Sequence, residues 1–224
     1  MATFKLIFGK EFLTVLEGFG FTLLITIGAF AIGLVLGTLV AVVKMSPSKN
    51  PIVVALRWLA NAYVAVFRGT PIVVQLLLIY FAMLMPMMIP NWLCAIIIFG
   101  LNSGAYVSEI MRAGILSIDK GQMEAGRALG MNYTITMGKI IVPQAIKNMI
   151  PTLSNELVSL TKETSVAGYV AVADITFVIQ RIAASTYDYF AAYLILAVIY
   201  FLFVSLLTYG IRCMERRLRK SDKR

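Results

Sequence analysis

Polar side chains with complementary chemistry lie within an apolar stretch between residues 143 and 162. Asn155, Ser159 and Lys162 are spaced by four and then three residues, which places them on one face of a helix. Glu156 adjoins this face and has no cationic residue three or four positions away. An amide, a carboxylate, a hydroxyl and an ammonium group can bind a polar solute or join helices by hydrogen bonds. Both alternatives stay open for most of these residues, and Glu156 is the strongest candidate for solute binding or gating.

A second set of polar residues lies between residues 92 and 115. Asn102, Tyr106 and Glu109 follow one another at helical spacing in an apolar segment. Polar groups are costly in an apolar phase, so they are candidates for function by default. The structural alternative is hydrogen bonding between helices, with an ion pair between Glu109 and Arg112 that stabilises the bundle.

Several kinds of chemistry lack their usual residues. The chain has no His and no G-x-x-x-x-G-K-[ST] phosphate-binding loop, so we expect no catalytic site, metal site or ATP site of its own. Its two cysteines, Cys94 and Cys213, lie near the ends of different apolar segments, where neither a disulfide nor a metal site is expected. An energy source for any driven process must therefore be another subunit.

The composition places the chain in a membrane. Apolar residues make up 60% and charged residues 14%, against about half and a quarter in soluble domains. About 20 residues of helix cross the hydrocarbon core, and in lipid the backbone must satisfy its own hydrogen bonds. We predict an all-α integral membrane protein with about five transmembrane helices. The expected spans are about 19–43, 71–88, 92–115, 143–160 and 189–211.

The remaining segments complete a single transmembrane domain, 1–224. We expect an amphipathic N-terminal segment over 1–18, a membrane core over 19–211 and a basic tail over 212–224. Residues 52–70 are expected to form a short amphipathic or interfacial segment that ends at Arg68-Gly69-Thr70-Pro71. Residues 162–188 are too polar for free exposure to lipid and are expected to form short helices.

Charge and small residues predict orientation and packing. Most of the 20 Lys and Arg residues lie after the first span, between residues 112 and 147, or in the tail. The positive-inside rule therefore puts the N-terminus outside and the C-terminus in the cytoplasm. Small residues recur every four positions at Ala29, Gly33, Gly37 and Ala41, and again at Gly100, Gly104 and Ser108. This spacing favours close contact between two helices in lipid.

The loop between the third and fourth spans has a specific pattern. Glu124-Ala125-Gly126 is followed by Gly130 and, after nine residues, by Ile140, Val142 and Pro143. We expect a short helix that ends at Gly130, and Pro143 suits the first turn of the next helix. The pattern resembles the EAA loop of ATP-binding-cassette (ABC) importer permeases, with Gly126 replacing the second Ala and Val142 replacing Leu.

That resemblance implies that the short helix docks on a separate ATPase. Glu124 would then be a partner for a basic residue of the ATPase. The coupling residues implied are Glu124, Ala125, Gly126, Arg127, Leu129 and Gly130.

Three further stretches resemble the polar amino acid uptake permeases among these importers. They are RGTPIVVQL at 68–76, NSGAYVSEIMRAG at 102–114, and the sequence from PQA at 143 through Asn155 to KETS at 162–165. The resemblance implies a type I importer fold and a mid-membrane substrate pathway. The candidate pathway residues are Asn155, Glu156, Ser159, Lys162, Thr164, Asn102, Tyr106 and Gln75.

The partners follow from the same resemblance. It implies a dimer of ATPase subunits that binds ATP and Mg, a second permease chain (identical or a related paralogue), and an extracytoplasmic amino-acid-binding protein. The chain would be a multi-pass protein of the bacterial inner or plasma membrane, in contact with lipid, with no cofactor of its own and no nucleic acid. The alternatives are a channel or secondary-transporter subunit not driven by ATP, which the lack of an internal repeat disfavours, and a membrane anchor or scaffold.

Overall fold

The computed structural model describes residues 2–221, with side chains from 3 to 216, and this part of the chain is almost entirely helical without a strand. The α-helices are α1 (Ala2–Lys5), α2 (Phe12–Met45), α3 (Pro51–Gly69), α4 (Ile72–Ile79), α5 (Asn91–Leu116), α6 (Lys120–Ala128), α7 (Tyr133–Thr136), α8 (Val142–Glu163), α9 (Ile175–Thr186) and α10 (Tyr189–Ser221). Turns of π-helix occur at Leu6–Lys10, Tyr80–Leu84 and Met137–Ile141, and 3-10 helix at Met85–Met87 and Thr164–Val170.

Four helices are long and apolar enough to cross a membrane. They are α2, α3, α5 and the described part of α10 to Arg216, and a fifth span arises if the helical segment 133–170 and α9, bent by 54°, count as one. This agrees with the prediction of an all-α membrane protein with about five spans.

The second hydrophobic region differs from the sequence prediction. We expected a short interfacial segment before Arg68 and a span from about Pro71. Instead α3 is a helix of 19 residues that is itself long enough to cross, and the helical stretch Ile72–Met87 is shorter. The start of this helix has a local cause, because Asn50 caps it by accepting a hydrogen bond from the Ile52 backbone N–H at 2.9 Å, and Pro51 suits its first turn.

The N-terminal residues do not form one separate surface helix over 1–18. Helix α2 begins at Phe12, earlier than the expected Phe19, and the helical turns described before it cover Ala2–Lys10. The Thr3 hydroxyl donates a hydrogen bond of 2.9 Å to Asp188, and this bond lowers the pKa of the Asp188 carboxyl below its ordinary value. The start of the chain is therefore tied to the α9–α10 connection.

The expected close packing of two glycine-bearing helices is confirmed between α2 and α5. A Cβ atom on Gly33 would lie 2.7 Å from Ser103 Oγ, and one on Gly37 would lie 2.7 Å from Val107 Cβ. On the facing helix, a Cβ on Gly100 would lie 2.7 Å from Ile32. These distances leave no room for a side chain, so the small residues allow the two backbones to touch.

The C-terminal third contains the short helices that the polar sequence predicted. The 3-10 turns Thr164–Val170 and helix α9 occupy most of 162–188. Helix α9 packs against α2, since the Ile175 backbone N–H donates to Thr22 Oγ1 at 3.3 Å. Helix α10 continues through Ser221, so the start of the expected tail, 212–221, is helical, while Asp222 to Arg224 lie outside the described residues.

Candidate coupling segment and transport pathway

The loop that resembles the EAA motif contains a well-capped short helix. Helix α6 begins after Asp119, whose carboxylate accepts a hydrogen bond from the Gly121 backbone N–H at 2.7 Å. It ends as expected before Gly130, which has a φ of +80°. There Met131 N–H donates to Gly126 O at 3.1 Å and Gly130 N–H donates to Arg127 O at 3.0 Å. This pair of bonds satisfies the last carbonyls of α6 and turns the chain sharply.

Gly126 is required by the fold of this loop. It is buried, and a Cβ atom on it would lie 2.6 Å from Thr136 Cγ2 at the end of α7. Thr136 is itself fully buried, and its hydroxyl donates to Asn132 O at 3.0 Å. The contact explains why glycine replaces the second alanine of the pattern. The contact between Gly126 and Thr136 joins α6 to α7. We call residues 120–136 the coupling segment.

One face of the coupling segment is not covered by the other residues that the structure describes. Glu124, Ala125 and Arg127 are exposed, and Leu129 is 81% exposed. Within the described chain, Glu124 and Arg127 form no ion pair. The segment thus presents one anionic group, one cationic group and an apolar side chain to whatever lies beside it.

A polar contact joins the middle of α8 to α5. Ser103 Oγ, fully buried on α5, donates a hydrogen bond to Glu156 Oε1 at 3.0 Å. The charges of Glu163 and Arg68 also act on this carboxylate. Sequence spacing could not reveal Ser103 as a partner, because it lies 53 residues before Glu156. On the same helix Asn155 and Lys162 are exposed and Ser159 is half-buried.

Gln75 and Asn102 lie together at the break between α3 and α4. The Asn102 amide donates to Gln75 Oε1 at 2.9 Å, and Gln75 Nε2 donates to Phe67 O at 2.8 Å and Thr70 O at 2.9 Å. Both side chains are buried and their hydrogen bonds go largely to this backbone. Thr164, also buried, donates to Thr161 O at 2.9 Å. These three pathway candidates are thus engaged within the fold.

Glu109 is surrounded by three cationic side chains. The alternative of an ion pair with Arg112 is confirmed, with Arg112 Nη2 at 2.8 Å from Glu109 Oε2. Lys44 Nζ, at the end of α2, lies 2.5 Å from Oε1. Arg68 Nη1 lies 3.9 Å from Oε2, and its guanidinium carbon is 5.3 Å from the centroid of the Tyr106 ring. The pair with Lys44 was missed because it joins residues 65 apart in sequence.

No group of His, Cys, Asp and Glu side chains in the described residues is arranged to hold a metal ion. Cys94 is buried and Cys213 is half-buried, and both are free thiols. The site consists of a solvent-facing coupling segment and a polar region between α3, α5 and α8.

Comparisons with known proteins agree with the resemblance drawn from the motifs. A family model described as the inner membrane component of binding-protein-dependent transport systems matches residues 33–220. The arginine transport system permease protein of Bacillus subtilis (strain 168) is 40% identical over 210 residues, which cover 93% of this chain and 94% of that protein. The putative glutamine transport system permease protein of Rickettsia bellii is 39% identical over 213 residues, covering 94% and 95% of the two chains.

A solved structure is similar over the same length. The crystal structure of an amino acid ABC transporter with histidines matches with a TM-score of 0.85 and 39% identity, over 93% of this chain and 95% of that one. Sequence motifs, helical architecture and these similarities agree. This chain belongs to the family of inner membrane components of binding-protein-dependent transport systems.

Proposed function

We propose that this chain is the membrane-spanning permease subunit of an ATP-driven importer of polar amino acids. The observation that carries the proposal is the coupling segment, a capped helix with Glu124 and Leu129 exposed beside the membrane core. The similarity to permeases named for arginine and glutamine supports the substrate class. The chain catalyses no covalent step, and its task is alternating access to a site between the helices.

The coupling segment receives the movement of the ATPase. Glu124, Ala125, Arg127 and Leu129 form the docking surface. The contact between Gly126 and Thr136, with Gly130 at the turn, keeps that surface rigid. A rigid segment transmits a push on α6 to α7 and on to the start of α8. The movement then reaches Glu156 because α8 carries it.

The substrate pathway passes the polar face of α8. Asn155 and Glu156 line it, with Ser159 and Lys162 farther along the helix. Removing water from an ammonium or a carboxylate is expensive without polar partners, and this face supplies them. Glu163 adds a second negative charge near Glu156, which favours a cationic group on the substrate. Lys162 and Thr164 lie toward the outer gate.

The assembly contains other chains. Two copies of this permease, or one copy and a related paralogue, form the pathway with a dimer of ATPase subunits that bind ATP and Mg. An extracytoplasmic amino-acid-binding protein delivers the substrate. The complex lies in the inner or plasma membrane of a bacterium, with the N-terminus of this chain outside and its C-terminus in the cytoplasm.

Reconstitution tests the proposal directly. The permease, its ATPase and its binding protein are purified together and placed in proteoliposomes, and uptake of radiolabelled L-arginine and L-glutamine is measured with and without ATP. The expected result is uptake of at least one of them only with ATP and all three components. Equal uptake without ATP or ATPase would instead indicate a channel or secondary transporter.

A further inference from the structure

Arg68, at the end of α3, carries a guanidinium that is not fully used within the fold. Both oxygens of Glu109 already accept direct bonds, Oε1 from Lys44 at 2.5 Å and Oε2 from Arg112 at 2.8 Å. Arg68 stays 3.9 Å from Oε2 and is 44% exposed. To the described residues it donates no hydrogen bond within normal distance, so its planar set of N–H donors remains available.

The backbone that carries Arg68 is held firmly. The carbonyl groups at the end of a helix have no partner within it, and here Gln75 Nε2 donates to two of the nearby ones, Phe67 O and Thr70 O. Asn102 in turn donates to Gln75 Oε1 at 2.9 Å. These two buried amides therefore act as positioning residues for Arg68.

Arg68 and Glu156 meet α5 on the same helical turn. Ser103 holds Glu156, and Tyr106 lies under the Arg68 guanidinium. Residues three apart on a helix are separated by about 4.5 Å along its axis and lie on neighbouring parts of its surface. Arg68 over Tyr106 and Glu156 bonded to Ser103 are therefore held at neighbouring positions along α5, near enough for the charge of Arg68 to act on Glu156, and each has hydrogen-bonding capacity left.

This arrangement suits a solute that carries both charges. Arginine binds carboxylates through two parallel N–H···O bonds, and stacking on an aromatic ring fixes the plane of its guanidinium. A carboxylate such as Glu156 accepts from an ammonium or guanidinium group. We propose that Arg68 binds the α-carboxylate of the substrate while Glu156 faces its cationic end. This inference rests on the proposed function, and it makes Arg68 the residue that selects amino acids over amines.

The competing role for Arg68 is structural, as a third cation beside Glu109. The two roles predict different losses when the guanidinium is removed. A structural role affects every ligand alike, because it acts through the shape of the site. A role in binding the carboxylate affects only ligands that possess one.

Paired ligands separate these roles. The purified permease–ATPase complex in lipid nanodiscs, without the binding protein, is titrated with radiolabelled L-arginine, with agmatine (arginine without its carboxylate) as competitor. L-Glutamine and its decarboxylated form, 4-aminobutanamide, are tested in parallel. Arg68→Gln is expected to weaken binding of the amino acid at least about tenfold and to leave the decarboxylated ligand unchanged. Glu156→Gln is expected to weaken arginine and agmatine together.

Further variants complete the test. Arg212→Gln, which removes an exposed arginine near the end of α10, is the matched control and keeps the wild-type preference. Arg68→Lys keeps the charge and loses the planar fork, so it lowers the preference for the carboxylate only in part. Gln75→Met removes a positioning amide and is expected to weaken L-arginine binding more than agmatine binding.

The outcomes are distinguishable. If the wild-type complex binds neither amino acid, the proposed function fails and the role of Arg68 falls with it. If the wild type binds and Arg68→Gln keeps its preference for the carboxylate, or loses both ligands equally, the role of Arg68 is overturned while the function stands. If Arg68→Gln does not assemble, Arg68→Lys decides, since unchanged affinity for both ligands overturns the inference.

Discussion

Ser103 on α5 donates its hydroxyl hydrogen bond to Glu156 on α8 across 3.0 Å, and it is the only hydrogen-bond donor to that carboxylate among the described residues. One oxygen of Glu156 is therefore fixed, and the other keeps its accepting capacity. The carboxylate is oriented by the neighbouring helix without being neutralised by it.

Glu156→Gln is expected to weaken transport of a cationic amino acid more than transport of a neutral one. The substitution keeps the size of the side chain and removes its charge, and a hydrogen bond to a charged group contributes about 1.5–3 kcal/mol. ATP-dependent uptake of arginine and glutamine in proteoliposomes measures the difference. Ser103→Ala should give a smaller change in the same direction, with Ser108→Ala as control because Ser108 bonds only within α5. Unchanged uptake in Glu156→Gln would show that Glu156 is not part of the substrate site, and Tyr106 would become the next candidate.

Glu124→Lys is expected to reduce docking of the ATPase and uptake together while the permease still inserts. Reversing an exposed charge on α6 removes an attraction and adds a repulsion, which weakens docking by about tenfold or more. Gly130→Trp should act similarly, because a φ of +80° strains any side chain larger than hydrogen. Copurification of the ATPase measures docking, and Glu17→Lys on α2 is the control. Wild-type docking in both variants would exclude the coupling segment as the contact.

Gly126→Ala, which restores the residue typical of the pattern, is expected to destabilise the coupling segment by about 1–3 kcal/mol. The added Cβ would lie 2.6 Å from Thr136, whose hydroxyl is committed to Asn132 O. Hydrogen exchange of residues 120–136 reports the loss. The double variant Gly126→Ala/Thr136→Ala should be more stable than Gly126→Ala alone, since the obstructing atoms are gone. Additive effects of the two changes would rule out the contact.

Gly37→Ala is expected to destabilise the bundle by about 1–3 kcal/mol or more through overpacking. Its Cβ would lie 2.7 Å from Val107 and 2.8 Å from the Gly104 carbonyl oxygen, which is backbone and cannot rotate away. Thermal unfolding in detergent measures the change. Gly20→Ala on the same helix is the control, because its Cβ would meet nothing within 4 Å.

The wild-type protein is expected to react with an impermeant maleimide only in inside-out vesicles. Cys94 is fully buried and Cys213 is half-buried, so Cys213 is the thiol that reacts. The positive-inside rule places it in the cytoplasm. Labelling of Cys213 in intact cells would contradict the predicted orientation. Loss of labelling in Cys213→Ser would show that Cys213 is the labelled residue.

Local features were predictable from sequence, and features that depend on packing were not. Gly130 and the recurring small residues indicated the end of α6 and a glycine-rich helix contact correctly, because each follows from backbone geometry. The length of α3 was not predicted, because the apolar region 52–88 is too long for one crossing and the break at Arg68-Gly69-Thr70-Pro71 was expected to leave only a short segment before it. The guanidinium of Arg57 is satisfied in part by the Ser46 and Ser48 carbonyl oxygens.

The candidate site shows the same division. Residue type and helical spacing predicted the pair of Glu109 and Arg112, which the structure shows, and made Glu156 a candidate whose role stays a prediction. Sequence could not show that Lys44 meets Glu109, or that Gln75 and Asn102 bind the backbone near Arg68. These contacts depend on how α2, α3 and α5 cross, and helical spacing within one segment carries no such information.

The close contact between α2 and α5, in which glycines of one helix meet side chains of the other, has a consequence for how motion can be observed. With Gly33 against Ser103 and Gly37 against Val107, sliding of one helix along the other would break these close contacts, so we expect the two helices to move as one rigid unit. A pair of spectroscopic probes, one on each of these helices, would report a constant separation in every state of the protein. Distances from α2 or α5 to α8 and α9 would then measure the movement of α8 and α9 against a common reference.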